Sequence, residues 1–64
     1  MHLAPTEILH VFEAGERRAE VQSVDEKYSP FRVVFKIDGH YLAPRYCANL
    51  DSAIDSAKRF AFSR

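Results

Sequence analysis

Cys47 is the only thiol in this chain, with His40 seven residues before it, and Asp51 and Asp55 form a carboxylate pair one helical turn apart. The first pair suggests a thiolate nucleophile with its base, which needs hydrogen-bond reach between the two. The second suggests half of a metal site, which needs further ligands converging on it. Neither is completed. His2, His10 and His40 stand at no ligand spacing to Cys47 or to one another, so no metal and no cofactor are expected. The sequence has no G-x-S-x-G elbow, no phosphate-cradling glycine loop and no paired-His motif. Its two glycines fall where turns or caps need them. The reading is that the protein is not an enzyme. The chemistry that does stand out is recognition by arginine and tyrosine: Arg32, Lys36, Tyr41 and Arg45, with Tyr28 and Phe62 as further candidates. Arginine offers planar, bidentate donors to anions and stacks on aromatic rings.

What must position those groups is a β-hairpin. Residues 31–37 read FRVVFKI, β-branched and aromatic with charges at alternate places, the pattern of a half-buried strand. Asp38-Gly39 supplies the two residues of a type I′ turn, and HYLAPRYC follows as the return strand. Counting outward from this turn pairs Ile37 with His40, Phe35 with Leu42, Arg32 with Arg45 and Phe31 with Tyr46. Alternation then puts Phe31, Val33, Phe35, Ile37, Leu42 and Tyr46 on a core face with His40 and Pro44. Arg32, Val34, Lys36, Tyr41, Ala43, Arg45 and Cys47 fall on the other face, which separates Cys47 from His40. Pro44 cannot donate a ladder bond, so the return strand is expected at an edge or to bulge there.

The hairpin needs a cover. ANLDSAIDSAKRFAF, residues 48–62, repeats Leu50, Ala53, Ile54, Ala57, Phe60 and Ala61 at helical spacing. Asn49 is the N-cap candidate, Asp51 and Asp55 suit the positive end of the helix dipole, and Lys58, Arg59 and Arg64 suit the negative end. Asp55 and Arg59 are spaced to pair. Phe62 points off the stripe. In the N-terminal third, residues 6–14 read first as a helix capped by Thr6 and stopped by Gly15, with Ile8, Leu9 and Phe12 sharing a face. The alternative is a strand joined through Gly15-Glu16 to RRAEVQSVDE. That second segment reads as a strand with Ala19 and Val21 inward and a bulge near Gln22–Ser23. The expected fold is therefore α+β: a three-stranded antiparallel meander packed against a C-terminal helix, with an N-terminal helix or fourth strand, in one domain spanning 1–64.

Composition narrows the function classes. Sixty-four residues make a small core, and 47% hydrophobic with 28% charged residues suits a folded chain. A lone cysteine fits a reducing, cytoplasmic setting. No apolar run reaches membrane-span length and the N-terminus does not resemble a signal peptide, so no membrane partner is expected. Net charge is zero, yet residues 1–30 carry six acidic against three basic side chains and residues 31–64 the reverse. Like charges opposed on a sheet repel, so the Arg32–Lys36–Arg45 stripe needs neutralising, either by Glu20, Asp25 and Glu26 or by a partner.

In layout, helix–three strands–helix resembles the double-stranded-RNA-binding domain, although Asp51 and Asp55 stand where that family carries phosphate-gripping lysines. Strand–strand–strand–helix is similar to the arm-binding domains of phage-type integrases, which would imply a sheet in the DNA major groove. Zero net charge weighs against nucleic acid. The expectation is a non-enzymatic module binding another protein or its own copy as a homodimer, with a regulatory role. The alternative is a nucleic-acid-binding module using the outer face of the hairpin.

Overall fold

A computed structural model describes residues 5–63 of the chain. Strands β1 (Pro5–Ala14), β2 (Arg17–Val24), β3 (Phe31–Ile37), β4 (His40–Tyr41) and β5 (Arg45–Cys47) precede one helix, α1 (Leu50–Ala61). The sheet is an antiparallel meander in the order β1-β2-β3, with β4 and β5 following one another along the far side of β3. The helix covers one side of this sheet, which makes a two-layer α+β arrangement only 16 Å through its thinnest axis.

Residues 6–14 are strand and not helix. Gly15, at φ +60°, takes the first central position of a tight turn flanked by the pair Ala14–Arg17, as a II′ hairpin requires. The helical spacing of Ile8, Leu9 and Phe12 has a different origin. β1 carries one extra residue between Ile8 and His10. That bulge lets Leu9 reach the core while Ile8 stays outside. A bulged strand thus imitates an i, i+1, i+4 pattern. With β1 a strand, the helix–three strands–helix order is absent. The irregularity expected in β2 near Gln22–Ser23 also belongs to β1: β2 pairs with β3 without a break from Arg17–Ile37 to Ser23–Phe31.

Asp38 and Gly39 sit at φ 49° and 80°, the two left-handed positions of a type I′ turn. Beyond it the return strand departs from the straight register. Lys36 faces Tyr41, and the Leu42 amide still bonds the Phe35 carbonyl at 3.0 Å. After Ala43-Pro44, however, Val33 faces Arg45, Arg32 faces Tyr46 and Phe31 faces Cys47. The return strand holds one more residue than β3 here, and Pro44, lacking an N–H, lies in the break. Because side-chain direction has period two, one added residue exchanges the faces of everything after it. Arg45 therefore does not oppose Arg32, Tyr46 leaves the core face, and Cys47 turns inward, where its thiol is free and buried.

The helix begins at Asn49, whose side chain accepts a hydrogen bond from the Ser52 amide at 2.8 Å. Ala53, Ala57 and Ala61 form its buried face. Ala53 and Ala57 pack on Ala19, Val21, Val33 and Cys47, while Leu50, Ile54, Phe60, Phe35, Phe31, Phe12 and Leu9 close the margins. Small residues let the helix lie close to the sheet, so the core is dense but thin. Val21 and Val33 are its largest fully buried side chains, each contributing about 1.5–3 kcal/mol by burial. Arg17 closes the C-terminal end: its guanidinium lies 5.1 Å from the Phe60 ring centroid and donates to the Phe60 carbonyl at 3.3 Å, where a cation meets the negative end of the helix. Asp55 and Arg59 pair at 3.0 Å. Arg64 and residues 1–4, His2 among them, lie outside the described residues. No helix among those described is long and apolar enough to cross a membrane.

Candidate functional site

The helix covers one side of the sheet, and the other is open. Antiparallel partners share a face, so the pairings place Ile8, Val11 and Glu13 of β1, Arg18, Glu20 and Gln22 of β2, and Arg32, Val34 and Lys36 of β3 on this open side. Tyr41 joins them opposite Lys36 and Tyr46 opposite Arg32. Large apolar groups flank a polar centre. Ile8 and Val11 are 54% and 44% exposed at one margin, Tyr41 and Tyr46 70% and 45% at the other. Monomeric domains usually scatter such groups; here these four share one face.

The polar centre is a continuous hydrogen-bonded line. Arg32 donates from Nε and Nη2 to Gln22 Oε1 at 2.9 and 2.7 Å. The Gln22 amide nitrogen donates to Glu20 Oε1 at 2.9 Å. Glu20 Oε2 accepts from Arg18 at 3.0 and 3.3 Å, and Arg18 also reaches Glu13 at 3.4 Å. A glutamine suits the middle position because its amide accepts from a cation on one side and donates to an anion on the other. Gln22 is buried, at 7% exposure. Its hydrogen bond, followed by that of Arg18, holds the Glu20 carboxyl below the usual carboxylate range against the opposing effect of burial. The Arg18 guanidinium is raised above its already high value by its hydrogen bonds to Glu20 and then Glu13. Lys36 is turned over the Tyr41 ring, 5.2 Å from its centroid.

The candidate residues therefore divide. Arg32, Lys36 and Tyr41 share the open face. Arg45 sits on the helix side, lining an open groove of about 310 Å3 with Phe35, Ser52, Asp55, Ser56, Arg59 and Phe60. Tyr28, 76% exposed, belongs to the loop between β2 and β3, with Lys27 5.4 Å from its ring. Phe62 lies at the C-terminal end of the helix, edge-on to Phe12 at 6.2 Å. Of the acidic side chains expected to shield the stripe, Glu20 does so, bonding Arg18 and Gln22. Asp25 is exposed, and Glu26 accepts from the Tyr28 amide instead.

Ile8, Val11, Arg18 and Gln22 were not among the sequence candidates, and Tyr46 was expected on the core face. Pro44 was the available signal for Tyr46, since a bulge there exchanges faces. A dimple of about 10 Å3 on this side is lined by Arg18, Glu20, Val34, Lys36 and Tyr41. That is room for about one water. Among the described residues no three His, Cys, Asp or Glu side chains converge as a metal site would require. No family model, curated protein or solved structure matches this chain.

Proposed function

We propose that this protein is a non-catalytic binding module that docks the open face of its sheet against another protein, or against a second copy of itself. One observation carries the reading. The face exposes Ile8, Val11, Tyr41 and Tyr46, while its arginines and glutamates are largely engaged with one another. Tyrosine and arginine around an apolar patch are what protein interfaces enrich. The lone buried Cys47 suits a reducing compartment such as the cytoplasm.

Nucleic acid is the second reading, favoured by Arg32 and Lys36 lying on one face with Tyr41 and Tyr46. It is weaker on charge. Arg18, Arg32 and Lys36 are met on the same face by Glu13 and Glu20, and Arg45 has left it. Phosphate binding draws its strength from uncompensated cations.

A photo-crosslinking residue in place of Tyr46 separates these readings, with the same residue at Asp51, on the exposed side of the helix, as control. Crosslinks to protein from Tyr46→X and not from Asp51→X are expected in the source cells, and sedimentation of the purified chain tells a second copy from another protein. Crosslinks to nucleic acid, with affinity for a labelled duplex that collapses as salt is added, would replace the first reading with the second.

A further inference from the structure

The two edges of the sheet are guarded very differently. On one side, β4 and β5 have two and three residues and are split by Ala43-Pro44. Short strands, proline and bulges are the devices that stop a sheet edge from pairing with foreign chain. On the other side, β1 is ten residues long and, among the described residues, pairs only with β2. Its register shifts twice, between Pro5 and Glu7 and between Ile8 and His10, and from His10 to Ala14 its pairing with β2 is regular. That stretch contains no proline and no lysine.

Side chains flank this edge on both sides. Toward the helix, His10 stacks on Phe12 at 5.9 Å, Phe62 meets Phe12 edge-on and is 55% exposed, and Lys58 Nζ stands 5.7 Å from the Phe12 ring. Toward the open face lie Val11 and Glu13. Charge along the edge has one sign: Glu7, Glu13 and Glu16, with no lysine or arginine between residues 5 and 16.

We infer that β1 is a strand-addition site for a basic, extended segment of another protein. An added strand bonds through its backbone, and alternate side chains confer selectivity. Here the selectivity has two sides. Side chains directed toward the helix meet the His10–Phe12–Phe62 ledge, which takes apolar groups and, through Lys58, repels cations. Side chains directed toward the open face meet Glu13, whose exposed carboxylate, already 3.4 Å from Arg18, can take a further lysine or arginine. The preferred segment therefore alternates basic and apolar residues. A second copy of β1 is the wrong occupant, because it brings the Glu7, Glu13 and Glu16 carboxylates of both chains to one seam, where like charges repel. This edge goes beyond the open-face reading and shares only Val11 and Glu13 with it, so either can fail alone.

The test uses the whole chain and a blocked peptide of alternating lysine and leucine, with alternating glutamate and leucine as control. Amide exchange followed by NMR should show new protection at residues 10–14 with the lysine peptide only. Glu7→Lys with Glu13→Lys should weaken binding about tenfold, as expected for exchanging exposed attractions for repulsions. Their circular dichroism spectrum should be unchanged. Four results would overturn the inference: no protection at residues 10–14, protection confined to β3–β5, equal binding of the glutamate peptide, or β1 protection that grows with protein concentration when no peptide is present.

Discussion

The two faces of this sheet differ in how closely they are covered. Under the helix the fully covered positions are Ala19, Val21, Val33, Ala53 and Ala57. On the open side stand Ile8, Tyr41 and Tyr46, each about half exposed or more. The larger side chains of the covered side, Leu9, Phe12, Phe31 and Phe35, pack at its margins. The covered face is built for close approach and tolerates no added volume. The open face is built to present area, and its own contacts are polar, running from Arg32 through Gln22 and Glu20 to Arg18. In the function proposed above, stability and recognition are divided between the two sides of one sheet.

That division is broken most severely from the covered side. Ala57 is fully buried against the sheet, so Ala57→Leu forces the helix off it and costs about 3 kcal/mol, within the range for overpacking. In a domain of this size that is a large part of the total. Tyr46→Ala should change stability by no more than about 0.5 kcal/mol, as for other surface positions, while removing partner crosslinks from the open face. Denaturant melts of the two variants check the contrast. Equal losses would mean that Tyr46 is part of the core in all but position.

A deletion sharpens the comparison by exchanging residues between the faces. Removing both Ala43 and Pro44 leaves the return strand one residue short of its native pairing, so a straight count from the Asp38-Gly39 turn sets Arg45 opposite Val34, Tyr46 opposite Val33 and Cys47 opposite Arg32. Arg45 and Cys47 then face outward and Tyr46 is driven under the helix. The expected cost is about 2 kcal/mol, from the lost burial of Cys47 and the bulk of Tyr46. The specific signature is chemical. Cys47, buried in the native chain, should react with a thiol reagent in the folded deletion variant at a rate close to that of a free cysteine. A thiol that stays protected would show that the chain keeps its native pairing by bulging β3 opposite the deletion.

The same parity explains what could be read from the sequence. The Asp38-Gly39 turn, the Asn49 cap, the alanine stripe and the Asp55–Arg59 pair are local. Each is decided by residues within a few positions, and each is found in the structure. Arg32, Lys36 and Tyr41 lie close enough to the turn for the count to hold. Arg45, Tyr46 and Cys47 lie beyond Pro44, where one extra residue reverses every assignment, and a proline says that a strand breaks without saying how the break is absorbed. β1 failed for a related reason, because its bulge at Leu9 gave a strand the spacing of a helix. The polar line was hidden differently. Gln22 meets Arg32 only because β2 and β3 pair in one register, and the loop of residues 25–30 between them has no turn motif that sets it.

The smallest expected effect lies on the open face, in the carboxyl of Glu20. Its proton affinity is lowered by the Gln22 amide and then by Arg18, so in the folded chain it stays ionised at pH values where an unfolded chain would take up a proton. The unfolded state therefore binds more protons in that window, and stability rises with pH across it. This contribution is complete above the ordinary glutamate value of about 4.3 and is lost as pH falls through the lower folded value. Glu20→Gln removes it. At neutral pH the variant should be less stable by under about 1 kcal/mol, as for other partly exposed pairs. Below about pH 4.3 the two melting curves should converge as the native carboxyl is protonated. A gap that stays constant from neutral pH to acid would mean that Glu20 acts on the sheet through shape alone and that its charge holds nothing in place.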